Sequence, residues 1–188
     1  TAGTERIINM LNVVDDNLVI EEKGLYSIEK FLIARRLMYW QVYLHKTVLS
    51  AENTLIKILK RARELIKEKK EIFATSALLS FLKNNFTKKD FENNAQLLQQ
   101  FAKLDDHDIY ACLKQWMNHE DIVLSKLSNM IINRKLLKVK IQNKPFSQKA
   151  IADKKTAVMQ KLNLHKNLAD YFVFSDKISN SAYSYEKA

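Results

Sequence analysis

Arg35, Tyr39 and Tyr43 stand four residues apart in the stretch ARRLMYWQVYLHK. On an α-helix each step of four turns about 40° past a full turn, so the three form one stripe about 12 Å long. A guanidinium pairs bidentately with phosphate oxygens. A tyrosine can hydrogen-bond a sugar hydroxyl and flank a base. The stripe therefore matches the length and the chemistry of a nucleotide. The same spacing fits two core tyrosines, with Arg35 paired to an acid on a neighbouring helix. Aromatics at helical spacing are usually core, so spacing alone favours this second reading.

Other reactive residue types are explained by local structure. In KLDDHDIYACL, Asp105 fits a helix N-cap and Asp108 the third helical position, where an acid meets free backbone amides. That accounts for the His107-Asp108 pair without a metal. His119-Glu120-Asp121 follows Asn118 in the same way, and neither histidine has a second one four residues on, as a zinc HExxH helix requires. His165 stands alone, so no metal site is expected within the chain. With only two glycines, neither a GxSxG nucleophile elbow nor a glycine-rich phosphate loop is possible. The lone Cys112 sits in an apolar helical run and reads as a buried, inert thiol. It cannot form an internal disulfide, which fits a reducing, cytoplasmic setting. No stretch approaches the length of a membrane span, and no membrane partner is expected. The chain by itself is poorly equipped for catalysis.

The elements that must position the stripe are helical. Two glycines and one proline in 188 residues leave little turn chemistry for a many-stranded fold. TERIINML reads as a short helix, and NVVDDNLVIEEKG as a small hairpin about Asp15-Asp16-Asn17. Ser27 is a plausible N-cap with Glu29 in the first turn. From there to about Lys69 the pattern is helical almost without interruption, long enough to predict a kink or one helix spanning the domain. Leu55, Ile58, Leu59, Ala62, Leu65 and Ile66 recur at spacings of three and four, leaving Lys57, Lys60, Arg61, Arg63 and Lys67 outside. Helical patches follow at 74–83, 94–103, 106–117 and 119–134. Thr87 with Asp90, Asp105 with Asp108 and Asn118 with Asp121 each read as a cap with an acid three residues on.

Beyond residue 136 the texture changes. LLKVKIQ alternates like a strand, Pro145 breaks it, Ser147 caps a helix to about Leu162, and YFVFSD reads as a second strand. The expected fold is mainly α: a helical domain over 1–135, with one long central helix and a small N-terminal β-hairpin, and a partial C-terminal α+β unit over 136–188. A strand–helix–strand piece does not complete a stable sheet alone. The net charge of +10 points to a polyanionic partner or to a solvated basic surface.

The segments RIINMLNVVDDNLVIEEKGLYSIEKFLIARRLMYWQVYLHKTV, LDDHDIYACLKQW and NRKLLKVKI resemble the C-terminal half of bacterial HD-superfamily phosphohydrolases. More narrowly they are similar to the branch of deoxynucleoside triphosphate triphosphohydrolases. The resemblance implies that the H…HD…D ligands of a divalent metal, Mg²⁺, Mn²⁺ or similar, lie in an N-terminal half ahead of this chain, and that this segment alone is inactive. It implies a parent enzyme hydrolysing a dNTP to deoxynucleoside and tripolyphosphate, with metal-activated water attacking the α-phosphorus.

Carried over by motif, Arg35 matches a triphosphate contact and Tyr43 the ring beside the deoxyribose. Tyr39 stands where a well-studied animal relative has histidine, and Leu44 where it has glutamine. His45, Lys46 and Arg134 match positions that hold a dNTP effector at a subunit interface, which implies a homo-oligomer, dimer or tetramer. The competing class is a basic helical module for nucleic acid, or for oligomerisation, without catalysis. Its support is the net charge alone.

Overall fold

The computed structural model describes residues 3–178. Among them helices dominate, as the shortage of turn residues predicts, and the only sheet is a two-stranded hairpin. The chain divides into two compact units, one reaching to Val48 and the other spanning Leu49–Asp176.

The first unit opens with α1 (Thr4–Ile8), followed by β1 (Leu11–Val14) and β2 (Asn17–Ile20). The strands pair antiparallel from Leu11↔Ile20 to Val14↔Asn17. Asp15 and Asp16 both take the left-handed conformation, with φ of 50° and 60°. That is the turn whose twist matches a two-residue hairpin, and aspartate tolerates it. A 3₁₀ turn, Glu22–Gly24, then leads directly into α2 (Leu25–Met38). Gly24 is required for close approach, since a Cβ there would lie 2.7 Å from Ile20 Cδ1. Ser27 is not the cap: α2 already begins at Leu25, because the 3₁₀ turn supplies the helical backbone ahead of it.

The long helical run is interrupted once. α2 passes into a π-helical turn, Tyr39–Tyr43, in which Leu44 N–H donates to Tyr39 O at 2.9 Å. The backbone leaves helical geometry at Leu44–His45, and α3 (Lys46–Lys67) follows. No side chain of α2 is buried in the structure, and its apolar residues lie on every side of the helix.

The second unit is built on α3, whose Ile58, Ala62 and Leu65 are buried, with Leu55, Leu59 and Ile66 packed beside them. This is the face that the spacing predicts. α4 (Ser76–Lys83), α7 (Asp106–Trp116) and α8 (Ile122–Ile132) contribute Leu78, Leu82, Cys112, Leu113, Trp116, Val123, Leu124 and Leu127. Trp116 satisfies its indole N–H on Phe73 O at 2.7 Å. Between α4 and α7 lie the short helices α5 (Lys88–Asn93) and α6 (Ala95–Ala102).

Capping boxes form at Thr87/Asp90 and Asp105/Asp108 as expected, and Ser147 caps α9 (Gln148–Leu162). α8 is capped by Asp121 rather than by Asn118: its Oδ1 accepts from Leu124 N–H at 2.8 Å. Asn118 instead sits in the turn that ends α7.

With glycine scarce, Lys69, Arg134 and Asn163 take the left-handed position that ends α3, α8 and α9, at φ of 60°, 55° and 50°. At Lys69 and Arg134 the next amide closes back on Leu65 O and Met130 O, the pairing of a Schellman stop.

The C-terminal strands are not formed. Residues 136–142 run without regular structure, and Leu137 O accepts from Ser50 Oγ at 2.6 Å on α3. Tyr171 closes a 3₁₀ turn, Lys166–Tyr171, and 172–176 pair with no strand. Alternation marks a half-buried surface, and here helices cover that surface in place of a neighbouring strand.

Arg61 and Arg63, expected on the solvent face, turn back into the unit. Arg63 donates to Phe81 O, Leu82 O and Asn84 O, closing the end of α4. Arg61 donates to Asp121 Oδ2 through Nη2 at 2.7 Å and Nε at 3.1 Å, both side chains being 11% exposed. It also contacts Glu64 and Glu68, and Glu64 accepts from the hydroxyl of Tyr171. Burial alone would raise the Asp121 pKa. Hydrogen bonds from Arg61 and the Leu124 amide, with the Arg61 charge, outweigh it and hold the carboxyl below its ordinary value. A carboxyl lowered on folding stabilises above its unfolded pKa, and loses that contribution as pH falls through the lowered folded value. Asp121→Ala removes a cap and a charged hydrogen bond together, an expected loss of about 3 kcal/mol at neutral pH. Urea unfolding across pH checks it: the variant should lose stability less steeply towards acid, and an unchanged acid slope would rule this account out.

Candidate functional site

Arg35, Tyr39 and Tyr43 are brought together. The guanidinium carbon of Arg35 lies 5.7 Å from the centroid of the Tyr39 ring, within cation–π range. The Tyr39 and Tyr43 rings follow at 5.2 Å between centroids, tilted by 57°. Tyr39 is half-buried between its neighbours, while Arg35 and Tyr43 are exposed. The three make a contiguous ladder of cation, ring and ring along one element, and none of them belongs to the buried core. Neither ring sits in the core formed by the described residues. A guanidinium stands at one end of the ladder and a flat aromatic surface at the other.

His45 and Lys46 follow at the junction with α3. The His45 ring accepts from Thr47 N–H through Nδ1 at 3.3 Å, so it helps start α3. Lys46 is exposed. Arg134 belongs to the second unit, where its left-handed backbone ends α8.

The histidine–acid pairs serve backbone geometry. Asp105 Oδ1 accepts from His107 N–H at 2.8 Å and from Asp108 N–H at 3.2 Å. Its other oxygen faces His107 Nδ1 at 3.3 Å. His119 Nδ1 accepts from Asp121 N–H at 2.9 Å, which leaves Nε2 to carry the proton and donate to Glu71 O at 3.2 Å. Among the described residues no group of three or more His, Cys, Asp and Glu side chains is arranged to hold a metal. Cys112 is fully buried, and burial raises its pKa, which keeps the thiol protonated and unreactive. No helix of the described residues is long and apolar enough to cross a membrane.

Two features escaped the sequence reading. One is the Asp121–Arg61–Glu64–Tyr171 chain of contacts, joining residues far apart in sequence. The other is the π turn inside the stripe. Its only local signal is the composition of YWQVY, where aromatic and β-branched residues are weak α-helix formers.

A family model described as HD associated region matches residues 3–79, which include the whole stripe. An uncharacterized protein of Bacillus subtilis, YwfO, is 30% identical over 96% of this chain and 39% of its own length. An uncharacterized protein of Mycoplasma genitalium, MG461, is 31% identical over 72% of this chain and 33% of its own. A crystal structure of a phosphohydrolase from Bacteroides thetaiotaomicron is 47% identical with a TM-score of 0.89, over 97% of this chain and 46% of that one. The chain thus spans less than half the length of each of these relatives.

If the His107-Asp108 pair is only a cap, His107→Ala should leave the metal content of the protein unchanged and shift stability by less than about 0.5 kcal/mol. Elemental analysis and thermal unfolding test both, and a drop in bound metal would overturn the capping account of the pair. The ladder lies within the residues that the HD associated region model matches, and the chain is similar to part of a phosphohydrolase.

Proposed function

We propose that this chain is the C-terminal part of an HD-superfamily phosphohydrolase that hydrolyses dNTPs to deoxynucleoside and tripolyphosphate. The observation that carries the reading is the Arg35–Tyr39–Tyr43 ladder, set inside the HD-associated region. Similarity to a phosphohydrolase at 47% identity supports the reaction class.

In this reading Arg35 clamps phosphate oxygens as a fixed cation, offsetting charge that builds up on the phosphates as the bond to the sugar side breaks. It is neither acid nor base. Tyr43 packs its ring against the sugar, where a close aromatic edge favours a ribose lacking its 2′-hydroxyl, and Tyr39 buttresses both. The described residues do not fit the divalent metal of such enzymes, since no three of their His, Cys, Asp and Glu side chains are arranged to hold one. Its ligands would come from the part of the parent outside this segment, and would supply the activation of water. His45, Lys46 and Arg134 are proposed to hold a dNTP effector in a homo-oligomer.

The alternative, a nucleic-acid-binding module on the basic face of α3, loses part of its support. Arg61 and Arg63 are spent on intramolecular partners, and Lys57 lies over the rings of Phe174, at 4.6 Å, and Tyr171, at 5.9 Å. DNA binding with a steep salt dependence would revive it.

Incubating the full-length parent with Mg²⁺ or Mn²⁺ and each dNTP should release deoxynucleoside and tripolyphosphate. Arg35→Ala should lower kcat/KM by about a hundredfold or more, the usual scale for losing one charge-stabilising donor. Unimpaired hydrolysis in that variant would remove Arg35 from the site. No release from any dNTP, alone or mixed, would move the substrate to another phosphoester.

A further inference from the structure

We infer that the π turn Tyr39–Tyr43 is a positioning device: it makes residue 43, and not residue 42, the one that shares the face of Arg35. The inference rests on reading the ladder as a nucleotide wall, and adds how that wall is aligned. On an unbroken α-helix, four residues overshoot a full turn by about 40°, so Tyr43 would stand about 80° around the axis from Arg35. Val42, seven residues on, would lie within about 20° of it.

The structure departs from that geometry. Leu44 N–H bonds to Tyr39 O at 2.9 Å, five residues back. A π turn holds about 4.4 residues, so four steps fall short of a full turn by roughly 30°. The overshoot from Arg35 to Tyr39 and the shortfall from Tyr39 to Tyr43 nearly cancel. Arg35 and Tyr43 then differ by only about 10°, and Val42 is carried roughly 75° off the face.

The ring contacts agree with this alignment but do not by themselves require it, since side chains four apart also meet on an α-helix. The hydrogen-bond register is what separates the two. A ligand that spans residues 35 and 43, about two turns apart along the axis, is met by both side chains together when they share one azimuth. Regular α-helix would offer Arg35 and the smaller, apolar Val42 instead. The extra residue in the turn thus sets which side chain meets the sugar end of a ligand whose phosphates Arg35 holds. Such turns recur at functional sites, where they re-aim side chains without breaking the helix.

The test is a tyrosine transposition in the full-length parent. Binding of a non-hydrolysable dNTP analogue by calorimetry should weaken at least about fivefold in Tyr43→Val, the low end for losing one stacked ring. The double variant Val42→Tyr/Tyr43→Val should remain as weak. Recovery in the double variant would mean that position 42 faces the ligand and would overturn the inference. A second readout needs no ligand. Nitroxide labels on cysteines at 35 and 43 should show stronger dipolar broadening in frozen-solution EPR than labels at 35 and 42, although they are farther apart in sequence. The reverse order would also overturn the inference. If the unmodified parent binds no dNTP analogue, the nucleotide reading fails, and the order of the two EPR pairs alone decides whether the turn aligns residues 35 and 43.

Discussion

Arg61 and Asp121 form the contact on which the second unit depends. Asp121 has two oxygens and two tasks: one starts α8, and the other holds the guanidinium of α3. Arg61 in turn engages Glu64, which accepts from Tyr171 at the end of the last 3₁₀ turn. One ion pair therefore ties the central helix to α8 and to the C-terminal segment. Its geometry explains why so polar a pair can be largely buried. Each partner is hydrogen-bonded more than once, so the desolvation cost is offset without leaving a lone charge inside. Apolar contacts alone could let α8 slide along α3. A charged pair fixed to a helix cap admits one register.

That contact also shows where sequence reasoning reached its limit. The apolar period of 55–66 located the buried face of α3, because burial on a helix repeats every 3.6 residues whatever lies opposite. Capping boxes at Thr87 and Asp105 were legible because both partners sit three residues apart. Arg61 was misplaced, since period analysis treats every charge as a solvent residue. Its partner lies sixty positions away and leaves no local trace. The C-terminal strands failed for a related reason. Alternation in LLKVKIQ reports one half-buried side, and only a neighbouring strand would make it sheet; α3 stands there instead, through Ser50. Left-handed helix ends at Lys69 and Arg134 were also hidden, because the usual glycine signal is absent.

The stripe was legible in membership but not in alignment. Spacing by four placed Arg35, Tyr39 and Tyr43 near one another, and they do touch in order. What spacing could not supply is the pitch of the helix between them. A change from α to π register alters azimuth by tens of degrees while leaving the sequence interval untouched. A residue interval is evidence of proximity only under an assumed pitch, and this chain departs from that pitch inside the very segment where a ligand would be read.

The two units differ in how they satisfy their apolar residues, and the difference bears on the proposed chemistry. The second unit closes its own core around Ile58, Trp116 and Leu124. α2 leaves Phe31, Ile33 and Leu37 about half-exposed, on different sides of one helix, and Trp40 in the π turn that follows is exposed too. A helix apolar all round gains stability by being covered, and fourteen residues alone are marginal in water. In the proposed enzyme the remainder of the parent would cover α2 and exclude water from the same surface that carries Arg35. An arginine among apolar neighbours holds a phosphate more strongly than one in open solvent, because the surrounding dielectric screens the attraction less. The exposure of α2 and the clamp assigned to Arg35 are then two aspects of one arrangement: the residues that need covering are those whose covering would strengthen the site.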